Sequence, residues 1–283
     1  MTSTGVVNHV KKILNCKKAG HTGTLDPLAA GVLPICIGKG TKVASYILAQ
    51  DKTYICEATL GKQTDTDDLE GKIISSCSDI SFTKQDIEEV LSEFKGDIVQ
   101  IPPTYSAIRH KGKRLYELAR RGETVTPKPR SVSIYEIELI QFYYPDRFLF
   151  QVKCSKGTYI RSLCRDIGSR LGCGGFMSFL LRTQTGVFDI RNSISLEELQ
   201  HYHEKGSLDA IIHTVDRALE DLDYAIVDEG QFKRLINGGF IDMNYINRLP
   251  SSKNSKNADQ YIRIYCRDQL IGIGFFEKGV NNR

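Results

Sequence analysis

The sequence contains no long hydrophobic segment and no leader of the secretory type. No apolar run approaches the 18 or more residues that a membrane-spanning helix needs, and no charged-then-apolar stretch opens the chain. Hydrophobic residues make up 41% and charged residues 25% of the 283 positions, which is typical of a globular protein in water. We therefore expect a cytoplasmic protein with no membrane partner.

The usual metal-ligand spacings are also missing. The eight cysteines form no C-x-x-C pair, and the six histidines form no H-x-x-x-H pair. A chain of this length can bury a core without disulfides, so we expect free thiols and no metal site.

Nucleotide and hydrolase motifs are absent as well. The segment GKGT at 38–41 lacks the glycine spacing of a phosphate-binding loop, and no G-x-G-x-x-G follows a predicted strand. No G-x-S-x-G is present, which argues against a serine hydrolase. The acidic segment KQTDTDDLEGK (62–72) does not fit a calcium loop, and we interpret it as a turn whose Asp and Thr side chains bind backbone amides. No cofactor is expected.

Positive charge is concentrated in two places. The net charge is only +4, but residues 109–130 hold eight lysines and arginines against two acids. A second group, Lys11, Lys12, Lys17 and Lys18, directly precedes the segment GHTGTLDP at 20–27. Each group could be an ordinary solvated face. Two groups together favour a polyanionic partner.

Hydrophobic periodicity predicts the main elements. Helices are predicted over 5–15, over 84–95 with Thr83 as the cap, and over 159–172 with Arg161 in the first turn. Strands are predicted over 52–61 and 147–155. From about residue 223 short strands and a terminal hairpin predict a small, mostly β module, so we place a domain boundary near residue 222.

Asp26 is the most unusual acidic residue, because it lies in a glycine- and threonine-rich segment directly before a proline. A carboxylate can act as a nucleophile or a base if it stays ionised in a partly dry pocket. Burial disfavours the charged form, so a cation must lie nearby, and Arg161 is our candidate. The alternative is that Asp26 caps a helix beginning at PLAAGVL, and the residues alone favour that alternative.

Longer stretches of the chain resemble a known family. The segments GHTGTLDPLAAGVLPICIGKGTK, DKTYICEATLGKQTDTDDLEG, IPPTYSAIRHKGKRLYELARRG, CSKGTYIRSLCRDIGSRLGCGG and SFLLRTQTGVF resemble, in order and spacing, the TruB family of tRNA pseudouridine-55 synthases. Together they cover most of residues 2–190.

The resemblance implies a fold and a reaction. The fold is α+β: a catalytic domain over 1–222, with a mixed, largely antiparallel sheet and flanking helices, followed by a PUA-like RNA-binding module over 223–283. The reaction is isomerisation of the uridine at position 55 of the tRNA T-loop, with the uridine flipped out of its stack. The enzyme needs no cofactor, and we expect a monomer that requires no protein partner.

The resemblance also assigns residues. Asp26, Tyr54 and Arg161 match the catalytic positions of the family, and His21, Tyr159 and Leu180 match positions around the target nucleotide. Arg109 and Lys111 lie in the basic stretch 104–130, which resembles the RNA-binding insertion of the family. Ordinary core packing explains Tyr54 equally well and Leu180 almost as well, and turn stabilisation explains His21.

Two alternatives remain open at this point. The chain could bind or fold tRNA without chemistry, or it could modify another RNA. The sequence also departs from the family at its start, because the strand that usually precedes the Thr-Ser pair is absent before Thr2-Ser3. We expect that departure to affect solubility and activity more than the assignment.

Overall fold

A computed structural model describes residues 1–110, 112–123, 125–248 and 261–275, with only the backbone at 109, 110, 114, 120, 243 and 248. The chain divides into two compact units, Met1–Lys205 and Gly206–Arg283. The helices in the described residues are α1 Ser3–Ile13, α2 Ala44–Ala49, α3 Lys84–Glu93, α4 Leu115–Arg120, α5 Ile160–Arg170, α6 Leu196–Glu204 and α7 Phe232–Ile236. Short 3₁₀ helices lie at Gly38–Val43, Ile190–Asn192, Leu208–Ala210, Arg217–Leu219, Glu229–Gln231 and Met243–Tyr245.

The strands of the first unit are short at the N-terminus and long in the centre. They are β1 Ala19–His21, β2 Ala29–Gly31, β3 Ile35–Ile37, β4 Lys52–Leu60, β5 Lys62–Thr64, β6 Ile73–Ser76, β7 Gly96–Gln100, β8 Arg109–His110, β9 Lys113–Arg114, β10 Arg130–Tyr143, β11 Arg147–Cys154, β12 Gly175–Thr185 and β13 Phe188–Asp189. Those of the second unit are β14 Tyr224–Val227, β15 Ile246–Arg248, β16 Tyr261–Cys266 and β17 Gln269–Phe275.

A seven-stranded sheet forms the centre of the described part of the first unit. Its order is β13-β12-β4-β11-β10-β7, with every neighbouring pair antiparallel, and β2 pairs with β12 in parallel. Helix α5 packs on β12 and β4, whereas α3 packs on β10 and also contacts α5. The two helices therefore cover one face of the sheet, and the expected α+β class with a mixed, largely antiparallel sheet is confirmed.

The core lies between this sheet face and the two helices. Strand β4 alternates as its sequence predicts, so that Cys56, Ala58 and Leu60 are buried on one face. The side chains they meet are mostly aliphatic and aromatic, including Ile87, Leu91, Phe148, Phe150, Val152, Leu163 and Ile167. The cysteines are free thiols, as expected, and most of them are buried.

Helix ends follow the signals in the sequence. Thr83 accepts a hydrogen bond from the Asp86 amide, and the Asp86 carboxylate accepts from the Thr83 amide, which makes the cap of α3 reciprocal. The cap of α1 is Thr2, whose hydroxyl accepts from the amide of Gly5. The predicted helix over 159–172 is present as α5, and its first turn carries Arg161.

The basic stretch 104–130 contains one short helix, α4. Leu115 and Leu118 of that helix are buried, so part of the stretch packs against the rest of the protein. A two-residue hairpin, β8–β9, precedes it.

The second unit is built on a four-stranded sheet in the order β15-β14-β16-β17. Its mostly β character and terminal hairpin agree with the sequence analysis. The unit begins upstream of residue 222, because Asp216 and the Leu222 carbonyl both bind Arg263 of β16. Its likeness to a PUA module stays a prediction. In the described residues no helix is long and apolar enough to cross a membrane.

Candidate active site

The segment GHTGTLDP connects β1 to β2 through a tight turn. Strand β1 pairs with β3, and the next residue, Thr22, donates its amide to the Pro34 carbonyl over 3.1 Å. The Asp26 carbonyl accepts from the Ala29 amide at 2.9 Å, with Pro27 at the second turn position, where its fixed φ is favourable. Strand β2 follows at Ala29, so Asp26 does not cap a helix and that alternative is wrong.

Asp26 meets Arg161, which lies 135 residues further along the chain. Arg161 Nη2 donates to Asp26 Oδ1 at 3.3 Å, and Arg161 Nε lies 2.9 Å from Asp26 Oδ2. The Nε contact is an ion pair without hydrogen-bond alignment, since Nε has no hydrogen-bond partner. The arginine side chain is only 6% exposed, whereas that of the aspartate is 34% exposed. The cation is therefore internal, and the carboxylate faces a region open to ligand.

Arg161 is held on its other side by groups that the sequence analysis did not assign. Its Nη2 donates to the Tyr105 carbonyl at 2.9 Å, and its Nη1 donates to the Thr66 carbonyl at 3.0 Å. Nη1 also lies 3.3 Å from Oδ2 of Asp68, a buried carboxylate. One guanidinium thus serves two carboxylates and two carbonyls, which fixes its plane.

The acidic segment 62–72 forms the predicted turn. Thr64 Oγ1 donates to the Asp68 carbonyl at 2.8 Å, and Asp65 Oδ1 accepts from the Lys72 amide at 2.8 Å. Beyond its own hydrogen bonds the turn also reaches α5, because Asp67 pairs with Arg165 at 2.7 Å. Burial raises the pKa of Asp67, and Arg165 opposes that rise. The segment contains four acidic residues, and this excess of negative charge is the sequence feature from which an arginine partner could have been predicted.

Tyr54 lies on β4, close to Asp26 of the Asp26–Arg161 pair. Burial raises its pKa to about 12, with a contribution from the negative charge of Asp26 and an opposing one from Arg182. The phenol is therefore neutral at physiological pH. Arg182 stands directly opposite Tyr54 on β12 and is itself buried, and the sequence analysis did not assign it.

Tyr159 is the residue before α5, at its N-terminus. The fully buried amide of Gln100 holds its backbone from both sides, accepting from the Tyr159 amide at 2.8 Å and donating to the Tyr159 carbonyl at 3.0 Å. The guanidinium carbon of Arg130 lies 5.8 Å from the centre of the Tyr159 ring. Burial raises the pKa of Tyr159, with a smaller contribution from the negative charge of Asp26 and opposing ones from Arg130 and Arg161, which indicates that the phenol lies near both Asp26 and Arg161.

The structure does not bring the remaining predicted site residues into hydrogen-bond or ion-pair contact with Asp26 and Arg161 in the parts of the chain that it describes. Leu180 lies on β12 opposite Cys56 and belongs to the hydrophobic core. His21 Nδ1 accepts from the Gly23 amide at 3.4 Å, and burial followed by the charge of Arg182 lowers its pKa. Lys111 lies outside the described residues, and Arg109 is described only by its backbone in β8. No group of acidic, histidine or cysteine side chains suited to a metal ion occurs in the described parts of the chain.

Comparison with known protein families identifies one family over most of the chain. Residues 11–160 match the model of the TruB family pseudouridylate synthase N-terminal domain, and residues 161–220 match that of the tRNA pseudouridylate synthase B C-terminal domain. The chain belongs to the TruB family. It is therefore a pseudouridine synthase, an isomerase.

Individual TruB relatives cover nearly the full length. The tRNA pseudouridine synthase B of Clostridioides difficile strain 630 is 46% identical over 99% of this chain and 92% of its own. That of Caldanaerobacter subterraneus subsp. tengcongensis is 49% identical over 98% of this chain and 92% of its own.

Solved structures share the fold. A chain of a Cbf5-Nop10-Gar1 complex superposes with a TM-score of 0.76 at 30% identity, covering 97% of this chain and 74% of that one. A chain of an H/ACA RNP bound to a substrate RNA containing 2'-deoxyuridine superposes with a TM-score of 0.74 at 28% identity, with the same coverage.

Proposed function

We propose that this enzyme converts the uridine at position 55 of the tRNA T-loop to pseudouridine, with Asp26 as the catalytic carboxylate. The observation that carries the proposal is the pairing of a partly exposed Asp26 with a buried Arg161. The relatives named tRNA pseudouridine synthase B support tRNA as the substrate.

The reaction exchanges one bond to the sugar for another. The bond between C1' of the ribose and N1 of uracil breaks, the base turns over, and a bond forms between C1' and C5. The proton on C5 leaves and N1 gains one, so no oxidant, reductant or energy source is needed. Asp26 either bonds to C1' or assists elimination to a glycal, and Arg161 pairs with its carboxylate and orients it in both cases.

Tyr54 and Tyr159 are proposed to border the flipped base. With a pKa of about 12, Tyr54 carries its proton before the reaction. It can accept the C5 proton only if its own proton moves on in the same step. Tyr159 offers a ring whose backbone and one face are already fixed, which reduces the entropy lost when a base stacks on it.

Positive charge near the site supports a nucleic-acid substrate. Residues 1–50 contain six lysines and a single acid, Asp26 itself. The Lys18 carbonyl accepts from the amide of Gly38, the residue before Lys39, at 2.8 Å, so two of these lysines lie on adjoining backbone segments. Contacts to phosphates compensate for the few kcal/mol that extruding a base costs. We propose that the second unit adds contacts to the acceptor end of the tRNA, as the resemblance to a PUA module implies.

The decisive variant is Asp26→Asn, which keeps the size of the side chain and removes its charge. We expect pseudouridine formation in a T-loop tRNA transcript to be abolished, while the Kd for that tRNA changes less than about threefold. Release of tritium from uridine labelled at C5 measures the reaction, and filter binding measures the affinity. Asp79→Asn, at an exposed aspartate, is the control and should behave as wild type. Appreciable turnover by Asp26→Asn would show that another group does the chemistry.

The non-catalytic alternative and the choice of RNA are tested together. Wild-type enzyme is given a T-stem-loop minihelix and hairpins that carry uridine in unrelated loops. We expect pseudouridine in the minihelix at the position equivalent to 55. Binding without product would favour a tRNA-binding protein, and equal modification of unrelated hairpins would favour another RNA.

A further inference from the structure

Arg182 is the largest side chain that the fold buries completely. It lies on β12 with 1% of its surface exposed, and no carboxylate of the described residues lies within ion-pair distance of it. A buried charge without an opposite charge is costly unless its donors are satisfied by hydrogen bonds. The groups that satisfy Arg182 therefore reveal why it is there.

Two of its donors bind the two ends of the segment that carries Asp26. Arg182 Nη2 donates to the Gly23 carbonyl at 3.1 Å, and Nε donates to the Val32 carbonyl at 2.7 Å. Gly23 precedes Asp26 by three residues, and Val32 follows it by six. The Arg182 carbonyl also accepts from the Val32 amide at 2.8 Å. One residue thus closes the loop at 23–32, hereafter the Asp26 loop, on both sides.

The third neighbour is Tyr54. Tyr54 and Arg182 are direct partners across β4 and β12, so their side chains project from the same face. The positive charge of Arg182 lowers the pKa of the Tyr54 phenol against the larger effect of burial, and it acts in the same direction on His21 and Lys52.

We propose that Arg182 is a positioning residue of the catalytic step, which fixes the Asp26 loop against β12 and holds its guanidinium beside Tyr54. The proposal rests on the proposed function, in which Asp26 is the catalytic group. Lysine replaces it only in part, because one ammonium group on a flexible chain does not hold two carbonyls in a fixed plane. Displacing a reacting group by about 1 Å can cost on the order of 100-fold in rate.

The test compares Arg182→Lys, Arg182→Met and wild type in single-turnover reactions at saturating tRNA. We expect the rate to fall on the order of 100-fold in Arg182→Met and less in Arg182→Lys, with Kd for tRNA within about threefold of wild type. Leu91→Ala is the control, because it removes a buried side chain on α3 away from the Asp26 loop. It should lose stability and keep its rate.

Two spectroscopic measurements separate positioning from general destabilisation. Titration of ¹³C-labelled histidines should show the pKa of His21 rising in Arg182→Met and staying unchanged in Leu91→Ala, because only the first removes a neighbouring positive charge. Amide exchange over 20–33 should accelerate in both Arg182 variants. If Arg182→Met does not fold, the single-turnover rate and the amide exchange of Arg182→Lys test the proposal.

The outcomes are distinct. Arg182 variants that react within threefold of wild type, or a Leu91→Ala enzyme that loses as much rate, would overturn the role of Arg182. Wild-type protein that forms no pseudouridine would instead overturn the proposed function.

Discussion

At the scale of single residues, the site depends on how one guanidinium is shared. Arg161 contacts Asp26 on one side and Asp68 on the other, and only Asp26 is substantially exposed. Asp68 in turn accepts from Thr66 Oγ1 at 2.5 Å and from the Glu70 amide at 3.1 Å. Asp68 is therefore held by its own turn as well as by Arg161, and we expect it to orient the cation rather than to touch the substrate.

Asp68→Asn should lower kcat by roughly 10- to 100-fold, because Arg161 loses a charged anchor and can shift relative to Asp26. KM for tRNA should change less than about threefold, since Asp68 is buried. Steady-state tritium release over a range of tRNA concentrations measures both constants. Asp65→Asn is the matched control, because its carboxylate binds a backbone amide in the same turn. An effect on KM alone would contradict the orienting role.

At the scale of elements, the Asp26 loop is held by backbone pairing that requires a glycine. Strand β2 pairs with β12 so closely that a Cβ at Gly31 would lie 2.2 Å from the Arg182 carbonyl oxygen. Gly31 also has φ of +105°, which other residues adopt only with strain. On the near side of Asp26, the hydroxyl of Ser3 accepts from the Leu25 amide at 3.0 Å and ties the loop to α1.

Gly31→Ala should destabilise the protein by at least about 1–3 kcal/mol from backbone strain, and the close contact adds to that loss. The β2–β12 pairing should open, so activity should fall even where the protein remains folded. Thermal unfolding and tritium release are the measurements. Gly20→Ala is the control, because a Cβ there meets no atom of the described residues within 4 Å. Equal Tm and activity for the two variants would refute this account of the loop.

At the scale of the whole molecule, substrate binding depends on how charge is distributed rather than on its total. The net charge of +4 is small, yet the first 50 residues carry six lysines and one acid. Strands β1 and β3 bring Lys18 and Lys39 to the same end of a two-stranded sheet. The result is a pair of exposed lysines on adjoining backbone segments that are apart in sequence.

Binding of tRNA should weaken as the salt concentration rises, and the surface lysines should determine how steeply Kd depends on salt. Replacing Lys17, Lys18 and Lys39 by Gln should reduce the slope of log Kd against log salt by roughly two to three, since each phosphate contact contributes about 0.7–0.9. Filter binding at salt concentrations between roughly 50 and 200 mM measures the Kd for tRNA at each concentration, and hence the slope. Replacing Lys72, Lys84 and Lys95, which are exposed on other elements, should leave the slope unchanged. Identical slopes for both triple variants would place the tRNA elsewhere.

Local patterns determined much of the fold. Alternation in β4, the Thr83 cap of α3 and the helical period of α5 were readable because each depends on neighbours within a few residues. The same reasoning failed at Asp26, where an Asp-Pro sequence suits both a helix start and a turn. The turn forms because β2 pairs with β12, whose residues lie about 150 positions away in the sequence.

The sequence by itself determined the family and the main elements, and it predicts Asp26 as the reacting group, since each of the motifs around Asp26, Tyr54 and Arg161 is a short continuous stretch. It also suggested Arg161 as the cation, from charge alone. Only the tertiary structure decided that Arg161 is shared with Asp68 and that Arg182 closes the Asp26 loop. The physical reason is that hydrogen-bond partners of a buried arginine are mostly backbone carbonyls, which every residue carries and which leave no mark in the sequence.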